Sequence, residues 1–174
     1  MKIFFTSDEH YGHANIIEYC KRPFANISHM KEELITRFNS RVGLGDFTYH
    51  LGDIFWNSVS EDEAREILRR LNGRHGIVWG NHDKVAKRIV QVFDFSGDVE
   101  IVKTPTPVWI SHYAHRSWPG SHKGVYHLFG HTHGTLEDYG RSHDAGVDAN
   151  NFFPLSFEEV DKMMKSVTLE SHNP

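Results

Sequence analysis

Disulfides are excluded at the outset, because the 174-residue chain has a single cysteine, Cys20. A lone thiol of this kind is far more often a part-buried apolar side chain than a reactive one. The missing disulfide framework fits a reducing compartment, so the cytoplasm is the expected location. Long hydrophobic runs are missing too. Nothing approaches the ~18 apolar residues of a membrane span, and the apolar run after Met1 is too short for a secretory signal. No excess of positive charge is present either. With a formal net charge of −4, the chain has no overall attraction for nucleic acid or acidic membranes, which leaves a small phosphate-bearing substrate open. Internal repeats, low-complexity tracts and linkers are absent, so one domain over residues 1–174 is expected.

What is abundant is histidine. There are 14, against about four from average usage at this length. Histidine is both the commonest metal ligand and the commonest acid–base group. Its placement follows a pattern of strand, loop and helix, repeated several times. Expected strands are 2–7, the apolar run before Asp53, 75–79, 99–103, 107–111 and 125–129. Expected helices run from Ala14 to Cys20, from an N-cap at Ser28, from a capping box at Ser60 and Glu63, over Lys84–Gln91, and from Ser156. An α/β class follows.

Five apolar strands end in metal-ligand types: Asp8-x-His10, Gly52-Asp53, Gly80-Asn81-His82-Asp83, His112, and Gly130-His131-x-His133. Asp8 and His10 are two apart, as are His131 and His133. In a strand that period puts both side chains on one face. The donors are carboxylate oxygen, imidazole nitrogen and amide oxygen, with no thiolate. Such a set argues against a structural zinc knuckle and for a catalytic site using borderline metals. Seven candidate ligands, Asp8, His10, Asp53, Asn81, His112, His131 and His133, are too many for one tetrahedral ion and suit two. Two dications at ~3.5–4 Å repel by roughly 17 kcal/mol even at an effective dielectric of ~20. A shared carboxylate and a bridging hydroxide offset this, and Asp53 is the expected shared residue. Taken singly, each of these residues is better read as structural; chance does not assemble the ordered set.

That set resembles the calcineurin-like metallophosphoesterases, whose pattern is D-x-H, G-D, G-N-H-[DE], a later His and G-H-x-H. The resemblance spans roughly residues 1–150. The stretch Asp8–Ile17 is similar to a branch of small stand-alone bacterial and phage phosphoesterases. The resemblance implies a four-layer αββα sandwich, two mixed sheets flanked by helices, with a dinuclear site at strand C-terminal ends. It implies one ion held by Asp8, His10, Asp53 and His133, and a second by Asp53, Asn81, His112 and His131. Manganese is the first choice of metal, with iron, zinc, nickel or cobalt as the others. His82 is then not a ligand; it faces the substrate and either protonates the leaving oxygen or stabilises the transition state, with Asp83 orienting it and tuning its charge. The chain departs from the family at Tyr113, where many members carry a small residue.

Other residues are open to two readings. His13 is either solvated at a helix start or substrate-facing. His115, Arg116, Trp118 and Lys123 form either an exposed turn or a lip that contacts phosphate and a base. Asp144 and Asp148 either orient ligand histidines or cap a turn. His50 and His127 sit inside apolar runs and read as core or as support behind the ligands, and Trp56 and Trp79 read as core. His29, His75, His122, His143 and His172 carry no signal beyond composition. The expected activity is a phosphodiesterase on small substrates, including cyclic nucleotides and aryl diesters. A nuclease and a phosphomonoesterase are the enzymatic alternatives, and a non-catalytic scaffold of the same fold is the remote one.

Overall fold

The computed structural model describes residues 1–167; His172 lies outside them. In chain order its elements are β1 (Ile3–Thr6), α1 (Ile16–Tyr19), α2 (Ile27–Arg41), β2 (Phe47–His50), α3 (Glu61–Arg70), β3 (Arg74–Val78), α4 (Lys84–Arg88) and β4 (Phe95–Gly97). There follow β5 (Val99–Val102), β6 (Val108–Ser111), β7 (Tyr126–Phe129), β8 (Ser142–Asp144), β9 (Leu155–Ser156) and α5 (Phe157–Ser166).

Two mixed sheets are flanked by helices. The first has the order β4-β3-β2-β1-β9, and the second β5-β6-β7-β8. In the first, β1 to β4 are parallel and β9 is antiparallel to β1. In the second, β6, β7 and β8 are parallel and β5 is antiparallel to β6. Strand alternation assigns the cores. Phe4 faces Met30, Leu34 and Phe38 of α2, and Ala64, Ile67 and Leu68 of α3, in one cluster. Its neighbour Phe5 faces the other way, into a second cluster with Val108, Ile110, Tyr126 and Leu128, closed by Val160 and Met164 of α5. The outer face of the second sheet carries Trp109 and His127, which are register partners. The loop after β6 covers them: Trp118 packs 5.2 Å from His127, and His115 lies 4.7 Å from Trp109.

Helix ends show where local rules held. The Ser60 side chain accepts from Glu63 N at the start of α3, and Ser156 and Glu159 form a full capping box on α5. The cap of α2 is Asn26 rather than Ser28; its side chain accepts from His29 N. Asparagine caps as well as serine does, and starting two residues earlier adds half a turn to the helix. α4 stops at Arg88, and Val90–Val92 continue as a 3-10 turn.

Beneath the strand ends runs a buried polar chain. Glu9 Oε1 lies 2.6 Å from His50 Nδ1, and His50 Nε2 lies 3.1 Å from His75 Nδ1. Burial lowers the pKa of His75 to about 3 and that of His127 to about 4. Between those values and ~6.5 the unfolded chain binds protons that the folded chain does not, so stability falls as the pH is lowered through that range. His10, lowered to about 2, acts in the same direction, while Asp83, raised by burial to about 6, acts in the opposite one. Asp8, also raised by burial, opposes them too. Five histidines are lowered, His10, His13, His75, His112 and His127, against two raised carboxyls and one raised histidine, His143, so metal-free protein is expected to melt at a lower temperature at pH 5 than at pH 7. Thermal melts across that range check it; a flat profile contradicts it.

Candidate metal centre

All five predicted ligand segments lie just past the C-terminal ends of β1, β2, β3, β6 and β7, so both sheets contribute to one site. The backbone pairing of β1 with β2 continues beyond the strands. Asp8 N donates to Gly52 O, His10 N to Asp53 O, and Tyr11 N to Ile54 O. Gly130 N donates to His112 O, joining the two segments of the second sheet.

Asp8, His10 and His133 offer donor atoms that all lie within 4.8 Å of one another, and so do Asp53, His112 and His131. Asp53 touches both groups: its Oδ2 is 3.8 Å from His10 Nε2 and 3.6 Å from His112 Nε2. Asn81 joins the second group, with Oδ1 3.0 Å from His112 Nε2. His131 N donates to Asp8 Oδ2 at 2.8 Å, tying the groups together.

The route to this convergence differs from the strand period expected for Asp8 and His10. Asp8, His10, Asp53, His131 and His133 all have left-handed backbone, with φ of 59, 52, 57, 68 and 49°. They are five of the eight non-glycine residues with positive φ among the described residues. Each costs on the order of 1–3 kcal/mol and persists only where its surroundings hold it. The strain is concentrated on the ligand-type residues. Two motif glycines have a separate reason. A Cβ at Gly80 would stand 2.2 Å from Asp53 Oδ1, and one at Gly130 would stand 2.0 Å from Ser7 Oγ and 2.5 Å from Asp8 Oδ2.

The donor chemistry fits a divalent ion. Asp8 is fully buried, yet its Oδ1 has no hydrogen-bond partner. Burial, with a further push from Asp53 and Asp144, raises its carboxyl well above the usual range. A cation at Oδ1 removes both penalties. His112 Nδ1 lies 2.7 Å from Leu51 O and donates there, and burial lowers the ring's pKa. Its Nε2 lone pair therefore points at the Asn81 carbonyl oxygen, an arrangement of two acceptors that a cation satisfies. His133 Nδ1 is 2.7 Å from Asp148 Oδ2, which leaves its Nε2 for the site.

Arg22 was not legible in the sequence. It is almost fully buried and braces the centre from behind. Nε and Nη2 donate to Asp148 at 2.8 and 2.7 Å, Nη1 to Glu9 O at 2.9 Å and Nη2 to Asp8 O at 2.7 Å. Asp148 thus orients His133 and is itself held by Arg22. Asp144 supports the same loop, accepting from Thr132 Oγ1 and Gly134 N. A third group, Cys20, His133 and Asp148, also lies within 4.8 Å. There the Arg22 guanidinium already occupies the carboxylate and the thiol is pushed by burial up to about 11.

His82 is half-buried, and its N–H donates to Asp53 Oδ1 at 2.8 Å. Asp83 does not hold its ring. The Asp83 carboxylate accepts from Asp53 N, Ile54 N and Gly80 N, which fixes the Asp53 loop. The His82 ring instead packs on Trp56 at 4.6 Å and edge-on to His10 at 5.8 Å. Trp56 is half-exposed and also stacks 3.8 Å from His13, so it walls the site rather than filling the core. His13 is nearly buried, 5.6 Å from His10. His115 turns away to Trp109, and the Arg116 guanidinium lies 5.1 Å over the Tyr139 ring. Trp118 is buried, donating to Val125 O. Of the loop residues read as either an exposed turn or a lip, His115 and Trp118 cover the second sheet.

No family model matches the chain. Over 172 residues the chain is 32% identical to the uncharacterized protein MJ1445 of Methanocaldococcus jannaschii, spanning 94% of this chain and 92% of that protein. It is 26% identical over 198 residues to the gene 66 protein of Mycobacterium phage D29, spanning 95% and 96% of the two. Among solved structures, a protein of unknown function from Aquifex aeolicus, AQ665, matches with a TM-score of 0.72 and 26% identity. The match covers 93% of this chain and 98% of that one. No helix among the described residues is long and apolar enough to cross a membrane.

Proposed function

The chain belongs to the same family as the uncharacterized protein MJ1445 of Methanocaldococcus jannaschii, and we propose that it is a dinuclear metal-dependent phosphoesterase acting on small phosphodiesters. One observation carries the reading. Two groups of carboxylate and imidazole donors, joined through Asp53 and all but His112 in left-handed backbone, stand where the strand ends of two sheets meet. Asp8, His10 and His133 with Asp53 would hold one ion, and Asp53, Asn81, His112 and His131 the other. Manganese is the first choice, as oxygen and nitrogen donors without thiolate suit borderline metals. Bound there, two divalent ions supply a water activated for attack at neutral pH and positive charge for the phosphoryl oxygens.

The chain's own residues do the rest. Asp53 and Asp8 set the charge of the site, leaving it near +1 with a hydroxide, which suits a phosphodiester monoanion better than a monoester dianion. His82 stands beside His10, anchored through its N–H to Asp53, and delivers a proton to the leaving oxygen from an imidazole packed on Trp56. Asp83 acts on Asp53 by fixing its loop.

The expected result is Mn²⁺-dependent, chelator-sensitive hydrolysis of bis-p-nitrophenyl phosphate, with kcat/KM above that for p-nitrophenyl phosphate. His82→Ala should cut kcat by ~10²-fold or more and leave the bound manganese unchanged. Manganese-loaded protein inert toward diesters, monoesters and cyclic nucleotides alike contradicts the reading.

A further inference from the structure

Tyr113 is the position at which the chain departs from the family pattern, and it lies over the second donor group. Its ring packs 4.7 Å from His131 and 5.0 Å from His112, edge-on to each. Its hydroxyl donates to Asn81 Oδ1 at 3.3 Å. About half of the side chain is exposed, 49%, so the phenol stands at the mouth of the site rather than within the core. Its backbone is fixed, because Ser111 Oγ donates to Tyr113 O at 2.8 Å. The phenol is therefore aimed by the end of β6.

We propose that the Tyr113 hydroxyl donates a hydrogen bond to a phosphoryl oxygen of the substrate at the Asp53–Asn81–His112–His131 group. This rests on the phosphoesterase reading. Asn81 Oδ1 faces both His112 Nε2 and the Tyr113 hydroxyl. Once Asn81 Oδ1 and His112 Nε2 are engaged as ligands, the weaker and longer phenol bond is the one that gives way. The freed O–H points at the space beside the ligand atoms, where an anionic oxygen of a phosphate ester sits. A neutral donor also leaves the site charge unchanged, which suits a monoanionic ester. The ring, resting on two imidazoles, limits how wide a substituent the phosphate can carry.

Tyr113→Phe removes only the hydroxyl, and Tyr113→Ala removes the ring as well. Three quantities are read for wild type and both variants: Mn²⁺ affinity, inorganic phosphate affinity of the manganese-loaded protein by calorimetry, and kcat and KM for bis-p-nitrophenyl phosphate. Tyr113→Phe should bind Mn²⁺ like wild type, bind phosphate about tenfold more weakly and lose about tenfold in kcat/KM, as one hydrogen bond to a charged oxygen implies. Tyr113→Ala should show the same losses on this substrate and gain relative activity on diesters with bulkier substituents. A wild type that hydrolyses the ester while Tyr113→Phe matches it in phosphate affinity and kcat/KM overturns this inference alone. Weakened Mn²⁺ binding in Tyr113→Phe also overturns it, because the hydroxyl would then act through Asn81. A manganese-loaded wild type that neither binds phosphate nor hydrolyses any ester overturns the phosphoesterase reading and this inference with it.

Discussion

Asp53→Asn is expected to release both metal ions and to lower diester hydrolysis by at least ~10³-fold. The carboxylate is 2% exposed, and its Oδ2 lies within 3.8 Å of His10 Nε2 on one side and 3.6 Å of His112 Nε2 on the other. Among the described residues it is the carboxylate that lies within 4.0 Å of an imidazole nitrogen of each group. An amide keeps the shape and loses the charge. Two dications held without that charge face a repulsion of order 10 kcal/mol or more even at a high effective dielectric. The substitution also weakens the bond from His82 N to Oδ1, so the His82 loop loses its anchor. Metal content by mass spectrometry and steady-state hydrolysis are the readouts. An Asp53→Asn protein that retains two ions per chain contradicts the shared-carboxylate account. His82→Ala is the contrasting case, keeping its ions while turnover falls.

Arg22→Met is expected to lower the melting temperature by about 10 °C and to weaken metal binding at the Asp8, His10 and His133 group. The Arg22 side chain is fully buried and its partner Asp148 nearly so. Burial pushes the Asp148 carboxyl up, but its bonds to His133 and Arg22 outweigh burial and hold it below its usual range. Removing the guanidinium leaves Asp148 buried with one partner and strands the Asp8 and Glu9 carbonyls. Breaking a buried pair from one side costs ~3–5 kcal/mol, and a chain of this size shifts by about 2–4 °C per kcal/mol. Replacing both partners, Arg22→Met with Asp148→Leu, should recover part of the melting temperature and none of the metal affinity, because His133 stays unoriented. A single variant that melts within ~2 °C of wild type contradicts the bracing role.

The comparison of the two substitutions shows what the sequence could disclose. Asp53, like the other candidate ligands, is legible because metal chemistry needs few residue types, and each sits directly after an apolar strand. Arg22 is not, because its meaning lies in a partner 126 residues away and its local context, Lys21-Arg22-Pro23, reads only as a break. Asp83 misled by adjacency. It follows His82 in sequence, yet the turn that starts α4 aims its carboxylate at three backbone N–H groups. Trp56 read as core because apolar patterning cannot separate an interior wall from the wall of a site. Period two explains neither candidate pair: both depend on left-handed backbone at Asp8, His10, His131 and His133, which only a few per cent of non-glycine residues adopt and which no periodicity signals. The long elements were visible from their periodicity. β4, β8 and β9 were not, because two or three residues such as Ser142-His143-Asp144 carry no alternation to detect.

Crystals soaked in Mn²⁺ and measured at the manganese edge test the central claim most directly. Two anomalous peaks are predicted, one among Asp8, His10 and His133, the other among Asp53, Asn81, His112 and His131, with Asp53 in contact with both. A single peak, or peaks that avoid Asp53, contradicts the account.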